Sequence, residues 1–164
     1  MRKPKIDMVY LDMDGVIANF YKRYQELYRL APREAEKKAE FNKYFDDFIA
    51  TKQFETLELM PGAEEGLLFL RKHLTVPTQI LSSTANEARY DEISKQKLIW
   101  LNTHNITFTP NFVPGKKHKY KFATPNSIII DDTESVIDDW NKAGGIGILH
   151  KDWPTTLAIL HMYI

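Results

Sequence analysis

Cysteine does not occur in this chain of 164 residues. That excludes disulfides, thiolate-held zinc and a cysteine nucleophile, and it fits a reducing compartment. No apolar run approaches the roughly 18 residues that a membrane helix needs, so no membrane partner is expected. The N-terminus is basic, but Asp7, Asp12 and Asp14 interrupt any signal-peptide core. The reading is a cytoplasmic protein. Net charge is lacking too, since Lys plus Arg and Asp plus Glu are both 22. Global charge therefore argues for neither nucleic acid nor membrane, and only local patches could. There is no internal repeat and no low-complexity segment. Apolar residues make up 43% of the chain, enough for a core and against disorder. The length suits one compact domain with a small insertion.

The informative stretch is MVYLDMDGVIANF, Met8 to Phe20. It reads as a buried strand ending in two carboxylates, Asp12 and Asp14, then Gly15 and an amphipathic helix. Like charges so close repel, and each resists leaving water. A hard divalent cation such as Mg2+ would resolve the conflict. The bland alternative is a solvated Asp-Gly turn. A calcium-binding EF-hand loop fits poorly, because Val16 and Arg23 stand where that loop needs oxygen ligands.

Apolar residues from Ile17 to Ala31 recur at helical spacing, and Pro32 stops that helix and can open the next. Residues 33–50 read as helical, with the charge run Arg33 to Glu40 as a solvated face. No strand signal occurs between about 17 and 60, so this stretch reads as a helical insertion closed by Pro61-Gly62. Beyond it the expected order is a helix over 63–74 with Leu67, Leu68, Leu70 and Leu74 available for burial, and a strand from Val76 to Leu81 running into Ser82-Ser83-Thr84. A long helix over 86–104 follows, then a strand within 106–113, a basic loop from Gly115 to Lys121 and an apolar strand over 127–130 ending in Asp131-Asp132. A helix over 133–143, a strand over 146–149 and a helix opened by Pro154 complete the chain.

Short apolar strands alternating with helices indicate a parallel sheet covered on both faces. Ligands bind such sheets at the carboxyl ends of the strands, where Asp12, Asp14, Ser82, Ser83, Asp131 and Asp132 all fall. Taken singly, Ser82 to Thr84 or Asp131-Asp132 could be no more than helix caps. Gly144-Gly145-Ile146-Gly147 is no phosphate loop, because no Gly-Lys-Ser/Thr follows.

Together these elements resemble the haloacid dehalogenase (HAD) phosphatase superfamily. Its hallmark is DxD after strand one, Ser or Thr after strand two, a Lys before the next strand and paired acids after it. Here they are Asp12 and Asp14 in LDMDG, Ser82 in ILSST, Lys121, and Asp131 with Asp132 in IIIDD. Within the superfamily, DMDGVIANF followed by a helical insertion is similar to the 5'(3')-deoxyribonucleotidases. The resemblance implies an α/β, Rossmann-like (HAD-like) core domain over 1–16 and 61–164, with a small helical cap over 17–60. It implies a Mg2+-dependent phosphomonoesterase with Asp12 as nucleophile, Asp14 as proton donor and acceptor, Ser82 on a phosphoryl oxygen and Lys121 as the balancing cation. Lys121 is chosen because it stands ten positions before Asp131; Lys119 is the reserve. The metal would sit on Asp12, Asp131, Asp132 and the Asp14 backbone carbonyl, with Asp132 favoured over Asp131 as direct ligand. Phe20, Ser83 and Lys97 match substrate contacts, and Phe45, Phe48 and Phe54 are weaker candidates for the same pocket. Thr133 departs from the Arg that those enzymes carry after the acid pair. The implied substrate is a phosphate monoester, most simply a nucleoside monophosphate. A polynucleotide 3'-phosphatase acting on a nucleic-acid end, and a non-catalytic HAD-like binding protein, are the rival readings. Oligomeric state is left open, a homodimer included.

Overall fold

The computed structural model describes residues 4–35, 40–73 and 75–164. Leu74 and residues 36–39 of the charged run Arg33 to Glu40 lie outside them. Five parallel strands form one sheet in the order β3-β2-β1-β4-β5: β1 (Met8–Leu11), β2 (Thr78–Ser83), β3 (Thr109–Val113), β4 (Ser127–Asp131) and β5 (Ile146–Leu149). The helices are α1 (Phe20–Tyr28), α2 (Pro32–Ala35), α3 (Phe41–Ala50), α4 (Ala63–Lys72), α5 (Tyr90–Thr103), α6 (Glu134–Lys142) and α7 (Trp153–Leu160). Short 3-10 segments cover Gln53–Thr56, Glu87–Arg89 and Lys116–Phe122.

Successive strand residues face opposite sides of a sheet, and the alternation divides the core in two. Val9, Leu11, Ile80, Ile128, Ile130 and Ile148 share one cluster with residues of α4, α5, α7 and the 17–60 stretch. Leu81, Ile129, Val136, Ile137 and Trp140 form the other, under α6. The β-branched run Ile128-Ile129-Ile130 is buried on both faces, as expected for a strand covered on both sides. Register sets the strand tips level, pairing Leu11 with both Ile80 and Ile130.

The first predicted helix is shorter than its apolar pattern. The Met13 carbonyl accepts the N–H groups of Val16, Ile17 and Ala18, so the chain turns tightly there and α1 starts only at Phe20, capped by the Asn19 side chain. The helix ends at Arg29, whose φ of 61° is left-handed, before Pro32 opens α2. The two connections of the 17–60 stretch run side by side. Asn19 N–H donates to the Glu58 carbonyl at 2.8 Å, and Met60 N–H to the Ile17 carbonyl at 2.8 Å.

The stretch between them is packed onto α5. Gln96 donates to the Ile49 carbonyl at 2.8 Å and the Trp100 indole to the Leu57 carbonyl at 2.7 Å. Arg89 pairs with Asp46 and stacks over Phe45. On the same side, α7 crosses α4 where Gly66 meets the Trp153 ring, and the Trp153 indole donates to the Val16 carbonyl at 2.8 Å. The C-terminal helix thus braces the turn that carries the acids. No described helix is long and apolar enough to cross a membrane.

Candidate active site

The turn after β1 needs Gly15. Its φ is +80°, and a Cβ there would collide with the Asp132 carboxylate and the Tyr21 ring. That close approach draws Asp132 toward the β1 tip. Asp12 extends the ladder, donating its N–H to the Ile130 carbonyl at 3.0 Å, so β1 and β4 deliver their acids to one point. Carboxylate oxygens of Asp12, Asp131 and Asp132 lie within 4.8 Å of one another.

One ammonium balances this cluster. Lys119 Nζ donates to Asp12 Oδ1 at 2.9 Å and to Asp131 Oδ2 at 2.7 Å, with the lysine side chain 3% exposed. Burial works to lower its proton affinity, but the two carboxylates outweigh that and hold it above the usual lysine range. Burial first, then Asp131, pushes the Asp12 carboxyl well above the usual carboxylate range against the pull of Lys119. Asp132 is raised for the same reasons, opposed by the Tyr21 hydroxyl that donates to it at 3.0 Å. Three acids facing one cation form a set that favours a divalent ion, so the donor chemistry fits Mg2+.

The structure puts the two candidate loop lysines in different surroundings. Lys121 is exposed and its Nζ donates to His118 Nδ1 at 3.0 Å, while Lys119 occupies the position expected of it. Residues 116–122 form a 3-10 helix rather than an open loop. Its period of three residues puts Lys116 and Lys119 on one face and turns Lys121 away. That spacing was the signal for Lys119.

The paired acids differ in their surroundings. Asp131 is fully enclosed, its oxygens accepting from Lys119 and from the Thr133 N–H at 3.0 Å. Asp132 faces a cleft of about 840 Å3, which Asp12, Asp14, Phe20, Tyr21, Ser83 and Lys119 also line. Thr133 stands on the same wall.

Ser82 and Lys97 are buried behind the cleft. Lys97 Nζ donates to Asp14 Oδ2 at 2.9 Å, Ser82 Oγ at 2.7 Å and the Ser83 carbonyl at 2.9 Å. The other Asp14 oxygen has no hydrogen-bond partner among the described residues. The Ser83 hydroxyl accepts from the Ala85 N–H at 3.1 Å.

Phe20 lies over Phe54 with ring centres 5.5 Å apart and planes at 8°. Phe45, Phe48 and Phe54 are core residues behind it and do not line the cleft. Tyr21 escaped the sequence reading because it sits among the apolar repeats of α1. His150 escaped it as well; it lines the cleft and its N–H donates to the Asp131 carbonyl at 2.8 Å.

No protein-family model matches the chain, and no curated protein does. Solved structures do. A hydrolase from Streptococcus pneumoniae TIGR4 is 16% identical, with a TM-score of 0.59 over 96% of this chain and 99% of that one. A haloacid dehalogenase-like family hydrolase from Xanthomonas campestris is 12% identical, with a TM-score of 0.59 over 96% and 92%. A HAD family enzyme from Bacteroides thetaiotaomicron, solved with magnesium and inorganic phosphate, is 14% identical, with a TM-score of 0.52 over 92% and 98%. The chain therefore has the α/β fold of the HAD-family hydrolases, with a cluster of three acids that could hold a metal ion at the tips of β1 and β4.

Proposed function

We propose that the chain is a Mg2+-dependent phosphomonoester hydrolase acting on nucleoside monophosphates. One observation carries this reading. Carboxylate oxygens of Asp12, Asp131 and Asp132 cluster at the tips of adjacent strands, with a buried ammonium paired to the first two, and Asp14 stands two residues from Asp12 on the same cleft wall. A binding module has no need of a second carboxyl beside the first.

Asp12, when ionised, attacks phosphorus through a carboxylate oxygen. The bond from phosphorus to the leaving oxygen breaks, its electron pair stays on that oxygen, and the Asp14 carboxyl supplies the proton. In the second half-reaction water loses a proton to Asp14 and attacks the phosphorus of the aspartyl-phosphate. The bond to Asp12 breaks, freeing phosphate and restoring the carboxylate. Lys119 holds the Asp12 carboxylate in place by its donor contact. Ser83 and Phe20 line the path of the ester, while Ser82 stands behind the cleft and accepts from Lys97. Asp12, Asp132, Asp131 and the Asp14 carbonyl would hold Mg2+, which when bound neutralises phosphate charge and stabilises the transition state.

We further read residues 17–60 as a cap over a core of 1–16 and 61–164. A cleft of about 840 Å3 accommodates a nucleotide. Its rim also favours a second reading, the polynucleotide 3'-phosphatase. Arg33, Lys116 and Lys151 stand at the cleft, and no ion pair engages them among the described residues.

The test is a phosphate-release screen with Mg2+ over nucleoside monophosphates and 3'-phosphorylated oligonucleotides. Release from mononucleotides that stops in Asp12→Asn, with the circular dichroism spectrum retained, supports the first reading. Preference for oligonucleotides, with affinity falling steeply between 50 and 200 mM salt, supports the second. No Mg2+-dependent release from any ester would falsify both.

A further inference from the structure

The sequence reading makes Lys97 a substrate contact. Its surroundings assign it other work. The side chain is 2% exposed, and a lysine almost never enters a protein interior without partners. An ammonium has three donors, and here Asp14 Oδ2, Ser82 Oγ and the Ser83 carbonyl take one each, all within 2.9 Å. No donor remains for a phosphate. The residue does not line the cleft, whereas Asp14 and Ser83 do. The aliphatic stem is fixed as well. It leaves α5 between the buried Ile93 and Trp100, and Nζ lies 5.3 Å from the centre of the Phe54 ring. Ser82 Oγ accepts from Lys97, which leaves the hydroxyl proton free to point elsewhere.

We propose that Lys97 is a positioning residue that holds the Asp14 carboxyl against the leaving-group oxygen, with Ser82 and the Ser83 carbonyl as its anchors on β2. The proposal rests on the phosphatase reading above, in which Asp14 transfers the proton. Asp14 sits on a turn outside the sheet ladder, and its other carboxylate oxygen has no partner among the described residues. Lys97 is thus the side chain that ties this carboxyl to the sheet. A proton donor displaced by about 1 Å loses much of its effect, since proton transfer demands hydrogen-bond distance.

The readout is the dependence of kcat/KM on leaving group. This parameter covers the steps up to formation of the aspartyl-phosphate and is blind to its hydrolysis. An alkoxide leaves only with a proton, whereas p-nitrophenolate leaves without one. Lys97→Met keeps the length and apolar stem of the side chain and removes the charge. For a nucleoside 5'-monophosphate, kcat/KM is expected to fall about 100-fold or more in this variant, the span of general acid catalysis. For p-nitrophenyl phosphate it should fall less than about 10-fold, and the inhibition constant of inorganic phosphate should move less still. Ethylamine added to Lys97→Ala should restore the nucleotide reaction preferentially.

Equal losses on both esters with unchanged phosphate inhibition overturn the proposal in favour of a structural role. Equal losses with phosphate inhibition weakened about 30-fold overturn it in favour of a substrate contact. Lys97→Gln provides a second variant, and unfolding of both overturns the proposal too, because it assigns the lysine to the core. A wild-type chain that cleaves neither ester removes the phosphatase reading itself, before any variant is compared.

Discussion

At Lys119 a single ammonium faces two carboxylates, and burial removes the water that would screen them. Removing one member of a buried ion pair leaves the others uncompensated, at a cost of about 3–5 kcal/mol. Lys119→Met should therefore lower the melting temperature of the metal-free chain markedly and reduce turnover by at least about 100-fold. Lys121→Met should leave the melting temperature unchanged and turnover within about twofold, because its ammonium is exposed and among the described residues bonds only to His118. A thermal melt and a phosphate-release assay on the two variants decide the assignment. Gly15 is the other position where one atom matters. An added methyl there must accept a left-handed φ and displace Asp132, so Gly15→Ala should cost about 1–3 kcal/mol of stability. It should also weaken Mg2+ binding measured by calorimetry.

Among the elements, the sheet and its order of helices were legible because buried parallel strands and amphipathic helices leave unmistakable periods. Ile128-Ile129-Ile130 followed by two aspartates is readable without coordinates. The start of α1 was not, since Ile17 satisfies the helical pattern while the Met13 carbonyl draws the chain into a turn. Lys119, the reserve candidate, ranks below Lys121 by distance from Asp131 in sequence, because that count does not show the 3-10 segment that turns Lys119 inward. Pattern sets Tyr21 and Lys97 on helix faces but cannot supply their partners. Their partners, Asp132 and Asp14, lie 111 and 83 residues away in sequence. Packing between α4 and α7 depends on Gly66, whose missing side chain makes room for the Trp153 ring. Gly66→Ala overfills that contact and should destabilise by about 1–3 kcal/mol, read as a lowered denaturation midpoint. It should also lower activity, since Trp153 holds the Val16 carbonyl in the turn after Asp14.

For the whole molecule, metal and proton compete for the same carboxylates. Asp12 and Asp132 hold protons more tightly when folded than a free carboxylate does, chiefly through burial. Without a cation, their ionisation therefore costs stability as pH rises from the usual carboxylate range through the raised values. Mg2+ removes that cost once the protons have gone. The rise in melting temperature on adding Mg2+ should thus be larger at pH 8 than at pH 5, and EDTA should abolish it; a rise independent of pH would argue against a carboxylate site. The excursion from the sheet over 17–60 departs and returns at neighbouring points, joined through Asn19 to Glu58 and Met60 to Ile17. Insertions between those points are expected to leave the strand order unchanged, because the two ends of the stretch already lie side by side. On the proposed reading of 17–60 as a cap, a change of substrate preference is expected to need substitutions only within that one contiguous stretch, away from the turn that carries Asp12 and Asp14.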